Sequence, residues 1–274
     1  NKEDKVQWAV HTSIAFSILG GIVLTVVGIG CSRWMLDLMN TPDDVVNYAL
    51  IYMRVYFLGT IGNLIYNMGS GILRAVGDSK RPLLYLIICC MTNIALDFLF
   101  VGVWGFGLAG AAIATVCGEL IGGLFPVIYF SRKNSSLLHL GKTHWNGRVF
   151  LQTCINGSSE LMTNLSSSIV NSLYNIQLMK FAGENGVAAY GTMMYINFVF
   201  LAIFFGYSIG SAPIISYHYG SGNHDELKNL FKKSLTLVGT WGIMLALLSQ
   251  LLASPLSKLF VGYDAELFAM TRHG

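Results

Sequence analysis

The chain has 274 residues, of which 54% are hydrophobic and only 11% charged, with a net charge of +3 and a mean hydropathy of +0.58. A soluble domain carries about 25% charged residues, so this composition points to lipid as the solvent. The basic residues are scattered between apolar segments, which argues against nucleic acid as a partner, and none of the five cysteines has metal-ligand spacing with histidine.

Seven apolar stretches, near 8–31, 46–73, 82–103, 107–130, 149–179, 187–213 and 230–253, are long enough to cross a bilayer, which takes about 20 residues. The expectation is an all-α polytopic membrane protein with about seven transmembrane helices. The second and fifth stretches are long and polar-rich, so they are expected to bend or to project beyond the bilayer. Pro82 falls at a helix start, where its missing N–H does no harm, and Pro126 falls near a helix end. Twelve of the 17 Lys and Arg residues lie before the first helix, at 74–81, at 131–148 and at 218–233, all on one side. The positive-inside bias puts that side in the cytoplasm; the expected location is a plasma membrane, in particular a bacterial inner membrane.

Asn1-Lys-Glu-Asp returns as Asn223-His-Asp-Glu at an offset of 222, and each is followed by an apolar helix of similar length. Both copies have the same sidedness, which implies parallel repeats about an axis along the membrane normal. On that basis residues 1–131 read as the last four helices of a first six-helix lobe. Residues 132–148 read as a cytoplasmic linker, and 149–274 as the first three helices of a second lobe. With no initiator Met and a charged opening, the chain is expected to be an internal piece of a longer protein.

Polar residues inside the spans mark the candidate site. Asn63 and Asn67 precede the charged turn at 74–82, and Asn93 and Asp97 follow it; each pair is spaced i, i+4, one face of a helix. In an antiparallel hairpin, 63 and 97 lie at similar depth, as do 67 and 93, roughly 15–25 Å into the bilayer at 1.5 Å per residue. Ionisable groups at such depth are costly and belong to transport paths or proton relays. Asp97 is the leading candidate, a carboxylate able to bind and release a proton or to give an oxygen to Na⁺; its competing role is to lock helix packing. Glu160, Asn164, Ser168, Asn171 and Asn175 form a second stripe along the fifth helix. Glu119 lies among glycines that favour close helix packing, and is read equally as lining a cavity or as packed. Tyr190, Tyr195 and Tyr207 share one helix, where cation–π contact with an organic cation competes with ordinary packing.

Three motifs then carry a resemblance. They are Gly71-Ile-Leu-Arg-Ala-Val-Gly-Asp-Ser-Lys-Arg-Pro82, Asn93-Ile-Ala-Leu-Asp97 and Gly105-Phe-Gly-Leu-Ala-Gly-Ala-Ala-Ile-Ala-Thr115. Together they resemble the multidrug and toxic compound extrusion (MATE) family over essentially the whole chain. The resemblance implies a twelve-helix, two-lobe exporter of organic cations driven by inward H⁺ or Na⁺, with alternating access. It also implies an ion-coupling network that falls on Asn67, Asn93, Asp97 and Thr115, a possible Na⁺ site, with Glu160 as a further cation-binding residue in some branches. Asn63, Asn164, Asn171, Glu119 and Tyr190 are weaker candidates for the substrate cavity. The expected partners are small organic cations or amphipathic drugs and the bilayer, with a monomeric assembly and no cofactor beyond H⁺ or Na⁺. Two rivals stand beside this reading: a lipid-linked oligosaccharide flippase, which would need more basic residues than Arg54 within its spans, and a membrane-embedded enzyme, for which no catalytic spacing occurs.

Overall fold

The computed structural model describes residues 2–38, 43–132, 138, 140, 147–262 and 264–273. Most of the expected linker, with Lys133 and Lys142, and Asn1 of the repeat lie outside the described residues. The elements are α1 (Lys2–Leu38), α2 (Asp43–Ala75), α3 (Lys80–Asp97) running into a π-helical turn (Phe98–Val103), α4 (Gly107–Ser131), α5 (Gly147–Gly220), α6 (His224–Val261) and α7 (Ala265–His273). The chain is thus an all-α multi-pass membrane protein. Six segments are long and apolar enough to span: Val6–Leu38, Val45–Ala75, Lys80–Val103, Gly107–Ser131, Asn185–Gly220 and His224–Val261. The remaining expected span, 149–179, is helical as the first limb of α5 but is not among them. The Asn and Ser residues of its polar stripe hold down its hydropathy.

Two compact units divide the chain, Asn1–Ile155 and Asn156–Gly274, so the division falls inside α5. In the first unit α1 packs on α2, α2 on α4, and α4 on α3 and the π turn, whereas α2 and α3 touch each other little. The chain neighbours α2 and α3 are therefore held together mainly through α4. Glycine decides this. A Cβ on Gly123 of α4 would lie 2.5 Å from the Gly62 carbonyl oxygen of α2, and a Cβ on Gly62 would lie 2.6 Å from the Glu119 carbonyl oxygen. Only hydrogen side chains permit that approach.

The turn between α2 and α3 closes as a Schellman motif. Gly77 has φ 85°, Asp78 N–H donates to Leu73 O (3.0 Å) and Gly77 N–H to Arg74 O (2.9 Å). Arg81 pairs with Asp78 and lies 4.7 Å over the Tyr129 ring, and Tyr66 Oη donates to Pro82 O (3.2 Å). Around them Val10, Ile14, Leu73, Tyr85, Phe130 and Leu138 form a buried apolar cluster. Pro126 lies inside α4, fully buried, with Gly69 of α2 against its ring. Its missing N–H is accommodated within the helix, which continues to Ser131.

In the second unit α5 breaks at Gly183 (φ 63°, ψ −156°), a conformation that suits glycine, and its second limb returns against the first. Tyr207 Oη and Ser234 Oγ, 2.7 Å apart, join that limb to α6. Asn223 caps α6 by accepting from Glu226 N–H (3.1 Å). Under the 222-residue offset α1 overlays α6, and the first turns of α2 overlay α7.

Candidate functional site

Along α4, Thr115 and Glu119 are spaced i, i+4 and reach two different neighbours. Asn93 Nδ2 on α3 donates to Thr115 Oγ1 at 3.4 Å, a long bond, while Thr115 Oγ1 donates to Ala111 O at 3.0 Å. Asn63 Nδ2 on α2 donates to Glu119 Oε1 at 2.9 Å. Asn67 Nδ2 in turn donates to Asn63 Oδ1 (2.7 Å) and Asn63 O (2.9 Å). The four residues of the expected coupling network thus divide. Asn93 and Thr115 meet, whereas Asn67 belongs to a separate chain running Glu119–Asn63–Asn67.

The Asp97 side chain makes no hydrogen bond or ion pair among the described residues, and its Oδ1 is buried without a partner. It ends α3 where the backbone widens into the π-helical turn, with Trp104 N–H donating to Leu99 O (2.9 Å). Single π turns inside helices frequently mark functional positions, because they re-aim the side chains around them. The sequence carries no readable signal for this turn; Gly102, Gly105 and Gly107 nearby only show that the backbone is free to deviate. Sequence reasoning also missed the Asn63–Glu119 pair, although Gly59 and Gly62 beside Asn63, and Gly118, Gly122 and Gly123 beside Glu119, are the pattern of two helices that approach closely.

In the second unit Asn164 Nδ2 donates to Glu160 O at 2.9 Å and reaches Glu160 Oε1 at 3.5 Å. Both residues are exposed on the first limb of α5. Two and three turns beyond Asn164, Asn171 and Asn175 line an open cleft of about 420 Å³ with Tyr190, Met194, Tyr195 and Phe198 of the second limb. Tyr190 Oη donates to Asn171 Oδ1 (2.8 Å), and its ring stacks on Tyr174 at 5.7 Å. The cleft offers amide oxygens beside aromatic faces, a surface suited to a flat cation. Tyr207 faces α6 instead. Among the described residues no group of three or more His, Cys, Asp or Glu is placed to hold a metal ion.

These features define a class: a multi-pass helical membrane protein with carboxylates and amides set inside its membrane-spanning segments. The MatE family model matches residues 1–99 and 161–273, and the chain belongs to that family. It is 28% identical over 289 residues to the probable multidrug resistance protein YoeA of Bacillus subtilis (strain 168), covering 98% of this chain and 60% of the relative. It is 24% identical to the probable multidrug resistance protein NorM of Thermotoga maritima, covering 95% of this chain and 56% of the relative. Among solved structures, an outward-facing multidrug resistance MATE family transporter of the MOP superfamily matches with a TM-score of 0.88 at 23% identity, over 97% of this chain and 60% of that one. A MOP superfamily transporter from Pyrococcus furiosus matches with a TM-score of 0.90 at 24% identity, over 98% and 60%. The chain therefore spans about three fifths of the length of these relatives.

Proposed function

We propose that the protein carrying this chain is a secondary active antiporter of the bacterial inner membrane that exports cationic or amphipathic organic compounds, driven by inward H⁺ or Na⁺. The observation that carries this reading is Asp97, a carboxylate in a membrane helix whose buried Oδ1 has no partner. An ionised carboxylate so placed needs a counter-charge, and a proton or a sodium ion supplies one. Asn93 and Thr115, joined by a 3.4 Å contact, are loosely enough held to turn an oxygen towards that ion. Asn67 would have to leave Asn63 to join them. Glu160 is a further cation-binding group, and the Asn171–Tyr190 cleft is a contact surface for substrate. Ion binding drives export only through unequal affinity for the two access states.

The test is ethidium efflux from vesicles carrying the full-length protein, energised separately by a proton gradient and by a sodium gradient. The reading expects efflux under one gradient and its loss in Asp97→Asn at unchanged expression. A wild type that moves no cation under either gradient overturns it.

A further inference from the structure

We propose that Glu119 is a second proton-binding site of the first unit, distinct from Asp97. This inference rests on the antiporter reading only for what the proton does, since the site itself is argued from packing.

Glu119 stands where α2 and α4 approach closely, its carbonyl oxygen 2.6 Å from where a Cβ on Gly62 would lie. Its Oε1 accepts one hydrogen bond, from Asn63 Nδ2 at 2.9 Å, and its Oε2 is buried with no partner. Three elements pack on α4: α2, α3 and the π turn. From α2 Tyr56 lies within electrostatic reach, and from α3 Cys89, which is itself occupied in donating to Gly118 O at 2.9 Å. The π turn, Phe98–Val103, carries no titratable side chain. Among the described residues no Lys or Arg pairs with Glu119. One amide donor does not balance a full negative charge in a low-dielectric span, so the site calls for a cation.

Space decides which cation. Oε2 lies against the backbone of Gly59, so close that a methyl group at residue 59 would overlap it. The second carbonyl-type oxygen nearby, Asn63 Oδ1, already accepts from Asn67. A sodium ion, which needs several oxygens around it, has neither the ligands nor the room, whereas a proton needs only the lone pair. Binding transfers a proton from hydronium to Oε2 and releases water, so an Oε2–H bond forms and the anion becomes a neutral acid. The Asn63 bond to Oε1 survives the step. Thr115 lies one turn away on the same face of α4, so a change of charge at Glu119 is felt beside Asn93.

The experiment is pH-difference infrared spectroscopy of the full-length protein in liposomes, grown with isotope-labelled glutamate so that Glu and Asp carboxylic acids separate. Glu119→Gln keeps an oxygen for Asn63 but cannot titrate, and Asn63→Leu removes the donor while leaving the acid. The expected result is a labelled carboxylic-acid band that titrates in wild type and in Asp97→Asn and is lost in Glu119→Gln. In Asn63→Leu it titrates at a displaced pH. A glutamic-acid spectrum unaltered by Glu119→Gln overturns the proposal, as does a Glu119 band that answers to sodium and not to pH. Ethidium efflux in the same liposomes keeps the two readings apart. A Glu119 band without efflux leaves the proton site standing and removes the antiporter; efflux without the band does the reverse.

Discussion

Gly62 on α2 and Gly123 on α4 meet backbone to backbone, with room for no side chain between them. This contact sets the spacing at which Asn63 reaches Glu119, so its loss disturbs both stability and the polar chain beside it. Gly123→Val is expected to destabilise the protein by roughly 1–3 kcal/mol, the usual cost of overpacking. Gly71→Ala on the same α2, where nothing lies within 4 Å, is expected to be neutral. Thermal unfolding of the two variants in detergent checks the contrast.

The Asn93–Thr115 contact at 3.4 Å is too long to contribute much to folding. Thr115→Val is therefore expected to cost under about 1 kcal/mol in unfolding. If Thr115 serves the coupling ion, the same change lowers the affinity for that ion. Unfolding temperature and the dependence of efflux on ion concentration, measured together, separate the two effects.

Tyr190 offers its hydroxyl to Asn171 and its ring to Tyr174. Tyr190→Phe keeps the stack and removes a bond that contributes about 0.6–1.7 kcal/mol in a membrane protein. Tyr190→Ala removes both. Flat aromatic cations are expected to bind Tyr190→Ala several-fold more weakly, with Tyr190→Phe close to wild type. Fluorescence titration with ethidium reads the order, and equal affinities in all three would take the cleft out of the substrate path.

At the α2–α3 turn, partial burial pushes the Asp78 carboxyl up, but hydrogen bonds from the Arg81 backbone and guanidinium, with its charge, outweigh this and hold it below the usual carboxylate range. A carboxyl depressed in the folded state adds stability above its unfolded value of about 3.9, and that stability is lost as pH falls through the folded value. Asp78→Asn should therefore narrow the difference in unfolding temperature between neutral and acid pH, and leave stability at acid pH unchanged. A variant with the same pH profile as wild type would count against the Asp78–Arg81 pair.

The positive-inside reading puts residues 76–79 in the cytoplasm. A cysteine at Val76, exposed at the tip of the turn, is expected to react with an impermeant maleimide in inside-out vesicles and not in intact cells. Labelling from outside would invert the topology.

Much of this protein is written locally in its sequence. Apolar length identifies the spans, because a helix in lipid must satisfy its own backbone whatever surrounds it. The charged turns give an expected sidedness, and the 222-residue offset gives an expected repeat, under which α1 overlays α6 and the first turns of α2 overlay α7. The polar residues of the spans are equally legible, since Asn, Asp and Glu stand out where lipid disfavours them. What sequence order does not contain is which of them meet. Asn63 and Asn67 look across the turn to Asp97 and Asn93 when α2 and α3 are read as a hairpin. The glycines of α2 and α4 let those two helices approach more closely than the hairpin partners do, and α4 takes the partners for itself. Asn63 then bonds to Glu119, Asn93 to Thr115, and Asp97 is left with a bare oxygen. Span, side and repeat follow from each segment's own dealings with lipid, whereas the polar pairing depends on backbone separations between segments, which only the packed helices determine.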